Sequence, residues 1–348
     1  MIKPEKLNRG DKVAMVSLSW GGLGDTKFIH KYYIAKKRLA DEFGVELFEM
    51  PHALSGSKYV EEHPEDRAKD LMDAFADPSV KAIFCAIGGN DTIRTLPYID
   101  FDVIRENPKI FMGYSDTTIN HFMMHKAGLV SFYGPTVMCE FGEYVKMFDY
   151  TKDAVNSILF DNTPNFEIKS SPEWCRERIE WDIENINVGK TLIPETHGYE
   201  LLQGNGLVTG QLLGGCIDVF PMAFDTSIWP TDWDDKILLL ETSEDKPSPD
   251  FVYDILNNLG KQGIYDKVKG IIFGKPYEEM YYEEYKEILR KVLSEYHRND
   301  LPVLYNINIG HAFPNGILPL GTNVTVDFDN KKIYLTEQSL IDSKIKRK

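Results

Sequence analysis

Three polar residues stand where apolar runs of this chain stop. Ser115 follows the apolar stretch 110–113 in "IFMGYSDTT", where a buried run breaks into the helix-like "DTTINHFMMHKAG". A serine at a strand–turn–helix junction has its Oγ lifted out of the sheet, with the next backbone N–H groups aimed at the same spot, as in a nucleophile elbow. The string Gly-Tyr-Ser-Asp-Thr lacks the second glycine of G-x-S-x-G, and Ser, Asp and Thr also serve as plain helix N-caps. Glu241 ends "KILLLE" after four aliphatics. A carboxylate at the end of a buried strand is costly unless it is paired, and orienting a histidine would supply that partner; the alternative is a strand end facing solvent. His311 ends the apolar run in "LYNINIGHAFPNG", either as a base or as a structural imidazole.

Together the three are coherent. A serine becomes nucleophilic when a neighbouring base accepts its proton, and the base works best when a carboxylate fixes its tautomer. Gly88 and Gly89 end another apolar run in "AIGGNDT". A backbone N–H there, with that of Asp116, could bind an oxyanion, and Asn90 adjoins the same turn. Two rival chemistries are weaker. His121 and His125 lie four apart on one predicted helix, a two-ligand face with no HExxH and no third ligand. The "AIGGNDT" loop could cradle a phosphate in a non-catalytic nucleotide-binding module, but it matches neither GxGxxG nor a P-loop.

The elements that must position these residues alternate. In the N-terminal half, "KVAMVSLS", "VELFEM", "VKAIFCAIGG" and "PKIFMGYS" are strand-like and near-continuously apolar. Between them lie helical patterns, one from Asp25 or Thr26 to Gly44 and another opening at Pro64. That alternation predicts an α/β fold, a doubly wound, mostly parallel sheet covered on both faces, with ligands at the carboxyl ends of the strands. Residues 1–161 form this domain. Residues 162–205 lose the pattern and are expected to be a linker and a long loop carrying Trp174 and Trp181. Residues 206–348 resume as a C-terminal, β-rich α/β domain closed by a hairpin in "TNVTVDFDNKKIYLTE".

Composition narrows the function classes. The chain has 348 residues, 43% hydrophobic and 27% charged, with a net charge of -15. Such a charge disfavours a nucleic-acid polymer or an anionic membrane as partner. Its four cysteines form no CxxC pair, which fits a reducing compartment and predicts a cytoplasmic protein. No signal peptide and no membrane-length apolar run is evident.

Six strings carry a family resemblance: "FADPSVKAIFCAIGGNDTIRTLPYIDFD", "NPKIFMGYSDTTINHFMMHKAGLVSFYGP", "GQLLGGCIDVF", "ILLLETSED", "VKGIIFGKP" and "NIGHAFPNGILPLG". In this order the chain resembles the serine carboxypeptidase family that contains the LD-carboxypeptidases of murein recycling and the microcin C immunity carboxypeptidases. The resemblance implies that Ser115 is the nucleophile, His311 the general base and Glu241 its orienting carboxylate, with no metal and no cofactor. It implies an active site between the two domains, a homodimer, and a small peptide or peptide-nucleotide as substrate. LD-carboxypeptidases of the family typically have R-G-G-Y-G where this chain has "AIGGND"; Ile87 replaces the arginine, and Asn90 and Asp91 replace Tyr-Gly. The tryptophan-bearing segment resembles the immunity branch, in which an aromatic residue stacks on the nucleobase of an aminoacyl- or peptidyl-adenylate. Trp181 is the first choice for that role and Trp174 the second. Murein peptide cleavage is the alternative within the family.

Overall fold

A computed structural model describes residues 1–342. The N-terminal half supplies β1 (Lys12–Val16), β2 (Glu46–Glu49), β3 (Val80–Cys85), β4 (Ile110–Gly113) and β5 (Ser131–Tyr133). These five pair in parallel in the order 2-1-3-4-5. That is a doubly wound arrangement whose strand order reverses beside β1, the place where open α/β sheets gather ligands. β1, β3 and β4 are almost wholly buried, as their unbroken apolar runs require when helices cover both faces. One covering helix, Thr117–Ala127, buries nine of its eleven residues.

Residues 162–205 are more than a linker. They supply β6 (Phe166–Ile168), the two-residue ribbon strands β7 (Glu173–Trp174) and β8 (Ile193–Pro194), and β9 (Glu200–Gln203). The remainder gives β10 (Leu207–Cys216), β11 (Lys236–Glu241), β12 (Gly270–Gly274), β13 (Val303–Ile307), β14 (Leu318–Leu320), β15 (Asn323–Asp327) and β16 (Lys332–Leu335). The second sheet runs 6-16-15-10-11-12-13-9, with β10 to β13 parallel and the flanking strands antiparallel. β6 and β9 are therefore its two edges. β14 leaves this half and pairs antiparallel with β5, completing the first sheet. The α/β class, with a mainly parallel first sheet and a β-rich second half, is as the sequence predicts.

Local chemistry sets the helix boundaries. Helix Pro249–Lys261 starts with Ser248 accepting from the Phe251 N–H and with proline in its first turn. The first helix begins at Ile29, later than its pattern suggested, because the Asp25 carboxylate accepts from the Ser57 N–H instead of capping it. Gly44, at φ +70°, stops that helical run.

Candidate active site

Ser115 stands between β4 and the helix Thr117–Ala127 at φ +66°. A non-glycine residue pays strain to sit there, a recurrent mark of functional turns. Its N–H donates to the Tyr133 hydroxyl at 3.2 Å. Tyr133, on β5, donates in turn to Glu241 Oε1 at 2.5 Å. Gly88 packs directly on the serine: a Cβ there would lie 2.7 Å from Ser115 Cβ, 2.9 Å from its Oγ and 3.3 Å from the Asp116 nitrogen. Gly89, at φ +148°, leaves no room for a side chain against Ser19 and Trp20. The Asp116 carboxylate is buried and accepts from Ser19 Oγ at 2.6 Å and the Thr92 N–H at 2.8 Å. Burial raises its pKa, with those hydrogen bonds opposing. The turn is thus braced from behind, while Ser115 faces a cavity.

Glu241 is fully buried at the end of β11, beside Cys216 of β10. Its Oε2 accepts from His311 Nδ1 at 2.8 Å. Glycines make the space: a Cβ at Gly310 would fall 2.3 Å from Glu241 Oε2, and one at Gly274 2.6 Å from its Cβ. His311 is buried with its ring edge-on to Tyr114, the neighbour of Ser115, at 5.0 Å between centroids. A second carboxylate, Glu244 Oε2, lies 3.0 Å from its Nε2. Burial works against the charged imidazole, but Glu241 and Glu244 outweigh it and hold His311 well above the usual histidine range. Burial likewise opposes ionisation of Glu244, yet the charge of His311 brings that carboxyl down to about 2. An imidazole fixed at Nδ1 by a buried carboxylate can exchange a proton at Nε2 with a nearby hydroxyl.

A cavity of about 610 Å³ joins these groups, a size suited to a small-molecule ligand. Ser115, His311, Gly88, Gly89 and Asn90 line it together with Trp20, Phe28 and Trp181. The indoles of Trp20 and Trp181 lie nearly parallel at 6.5 Å, and Phe28 meets both edge-on at 5.5 and 6.2 Å. Lys31 Nζ sits 5.1 Å from the Trp181 ring. Trp174 is elsewhere: it is buried under Lys275, whose Nζ is 4.1 Å from the ring centroid, and is absent from the cavity lining. It anchors the ribbon on the protein body.

The sequence profile of the LD-carboxypeptidase N-terminal domain matches residues 13–134, and that of the LD-carboxypeptidase C-terminal domain residues 209–326. The chain belongs to the LD-carboxypeptidase family. It is accordingly a hydrolase of the serine carboxypeptidase type. The Escherichia coli microcin C7 self-immunity protein MccF is 32% identical over 290 residues, 80% of each chain. Among solved structures, an MccF-like protein of Streptococcus pneumoniae in complex with AMP matches at TM-score 0.86 and 35% identity, covering 93% of this chain and 98% of that one. MccF in complex with aspartyl sulfamoyl adenosine matches at TM-score 0.86 and 28% identity, over 98% and 100%.

In this LD-carboxypeptidase family member the N-terminal profile contains Ser115 and the C-terminal one Glu241 and His311. The histidine pair expected as a rival metal face is committed otherwise. His121 bonds Ser131 Oγ at 2.8 Å and the Gly113 carbonyl at 2.9 Å, whereas His125 pairs with Asp232 at 2.9 Å. Asp91 of the "AIGGNDT" loop bonds Arg67 and Arg94 at 2.8 and 3.1 Å. Sequence reasoning missed Trp20, Tyr133 and Glu244. Trp20 and Tyr133 do end apolar runs, a signal shared by many structural aromatics. Glu244, three residues past Glu241, carries no signal of its own.

Proposed function

We propose that this enzyme hydrolyses the amide bond of peptidyl- or aminoacyl-nucleotides through Ser115, His311 and Glu241. His311 Nε2 takes the hydroxyl proton as Ser115 Oγ attacks the acyl carbonyl. In this reading a backbone N–H at Gly88 or Gly89 and that of Asp116 bind the developing oxyanion, each such donor lowering the barrier by ~3 kcal/mol. His311 then returns the proton to the leaving nitrogen, and water releases the acyl group from Ser115 by the reverse route. Glu241 keeps the Nδ1 proton in place.

One observation supports the nucleotide reading above murein peptide cleavage: the cavity that holds Ser115 and His311 also holds the facing indoles of Trp20 and Trp181. Aromatic faces accept a nucleobase by stacking, worth ~1–3 kcal/mol per base. The nucleotide complexes of the MccF relatives point the same way. All four cysteines are free and buried, which supports action in a reducing compartment such as the cytoplasm.

The test compares hydrolysis of an aminoacyl sulfamoyl adenosine with that of an L,D-linked murein tetrapeptide by wild type and Ser115→Ala. Adenylate-analogue turnover, lost by roughly a million-fold in Ser115→Ala, is the expected result; tetrapeptide turnover alone would select the murein reading. Trp181→Ala is expected to weaken adenylate binding tenfold or more, by the lost stacking, and to spare a small base-free amide. Equal loss on both substrates would remove the stacking role.

A further inference from the structure

His311 Nε2 faces a carboxylate. Glu244 Oε2 lies 3.0 Å from His311 Nε2, the atom that must face the Ser115 hydroxyl. Glu244 is also half-exposed at the cavity wall, unlike the fully buried Glu241 at Nδ1. The two carboxylates are therefore unequal: one is fixed, and the other has room to leave.

We propose that Glu244 is a positioning residue that holds His311 off its serine in the resting enzyme and swings away before Nε2 can accept the hydroxyl proton. A carboxylate at Nε2 favours the doubly protonated ring, which has no lone pair for a proton from Ser115. Departure of Glu244 leaves the imidazolium with one counter-ion, so the ring loses its Nε2 proton to solvent and becomes a base. Arg178, whose Nε pairs with Glu180 at 3.2 Å, is the destination in this proposal. It lines the same cavity three residues before Trp181, and its charge helps to keep Glu244 ionised. Ligand contact with the Trp181 segment is thereby tied to release of the base. The other groups facing His311 are Glu241 of β11, Cys216 at the end of β10, Asp218 just beyond it and the Tyr114 ring after β4. Of these, Asp218 also lines the cavity, where it accepts from the Ser243 hydroxyl at 2.5 Å and the Ser243 N–H at 3.2 Å.

Glu244 has this role only if His311 is the general base, as proposed above, so the test has one arm without turnover. NMR titration of the His311 ring in a Ser115→Ala background is expected to show its midpoint falling by about one pH unit or more when Glu244→Gln is added. With an amide substrate, the acidic limb of kcat/KM reports the same group in the free enzyme. That limb is expected to move to lower pH in Glu244→Gln, to higher pH in Arg178→Gln, and to follow Glu244→Gln in the double variant. An unmoved ring midpoint, or activity lost at every pH with the limb in place, would overturn the proposal. A merely structural Glu244 would lower stability without shifting either titration.

Discussion

At the scale of single residues, the site depends on how few groups Glu241 can turn to. It is buried, with Tyr133 on one oxygen and His311 on the other. Tyr133→Phe removes the first partner and leaves a buried carboxylate oxygen unpaired, a loss of about 1–3 kcal/mol. The same tyrosine receives the Ser115 N–H, so the Ser115 turn loosens as well. The expected outcome is a lower urea midpoint together with a several-fold fall in kcat and little change in KM. Urea titration and steady-state kinetics check it; unchanged kcat would separate Tyr133 from the chemistry. Serine, glutamate and histidine were legible because each ends an apolar run. Tyr133 ends one too but was not, because a tyrosine there is as often structural and nothing local tells that it bridges residues 115 and 241.

Among the elements, the turn after β3 and the turn after β4 press on each other, and glycine is what permits it. Gly88→Ala is expected to abolish most activity while the protein stays folded, since its Cβ would displace Ser115 rather than a core side chain. Circular dichroism and hydrolysis assays check the two halves of that statement; full activity would mean the serine turn has slack that the packing distances deny. β1 to β4 of the first sheet were readable from their apolar runs, whereas its β5 and β14, three residues each, were not. β6 and β9 were not: they are short edge strands of three and four residues, half-exposed, and too brief to show alternation. Trp181 was preferred to Trp174 from the sequence, but nothing local decided between them, for a related reason. Both lie in one polar segment, and only the pairing of β7 with β8 decides which indole is covered by Lys275 and which reaches the cavity.

For the whole molecule, the arrangement of the two sheets matters more than the linear order of the domains. Ser115 comes from the first, Glu241 and His311 from the second half, and the cavity lies where they meet. Thermal unfolding is expected to be a single transition seen equally by tryptophan fluorescence and far-UV circular dichroism, because β14 belongs by sequence to one half and by pairing to the other. Two resolved transitions would show that this strand contributes little. None of the helices among the described residues is long and apolar enough to cross a membrane.

That returning strand also constrains how such a protein can be recombined. Leu318 lies opposite Tyr133 across the β14–β5 pairing, so a C-terminal half transplanted from a relative brings along the rim of its host's first sheet. Chimeras will tolerate the exchange only where the donor's three-residue strand fits the host's Ser131–Tyr133 edge.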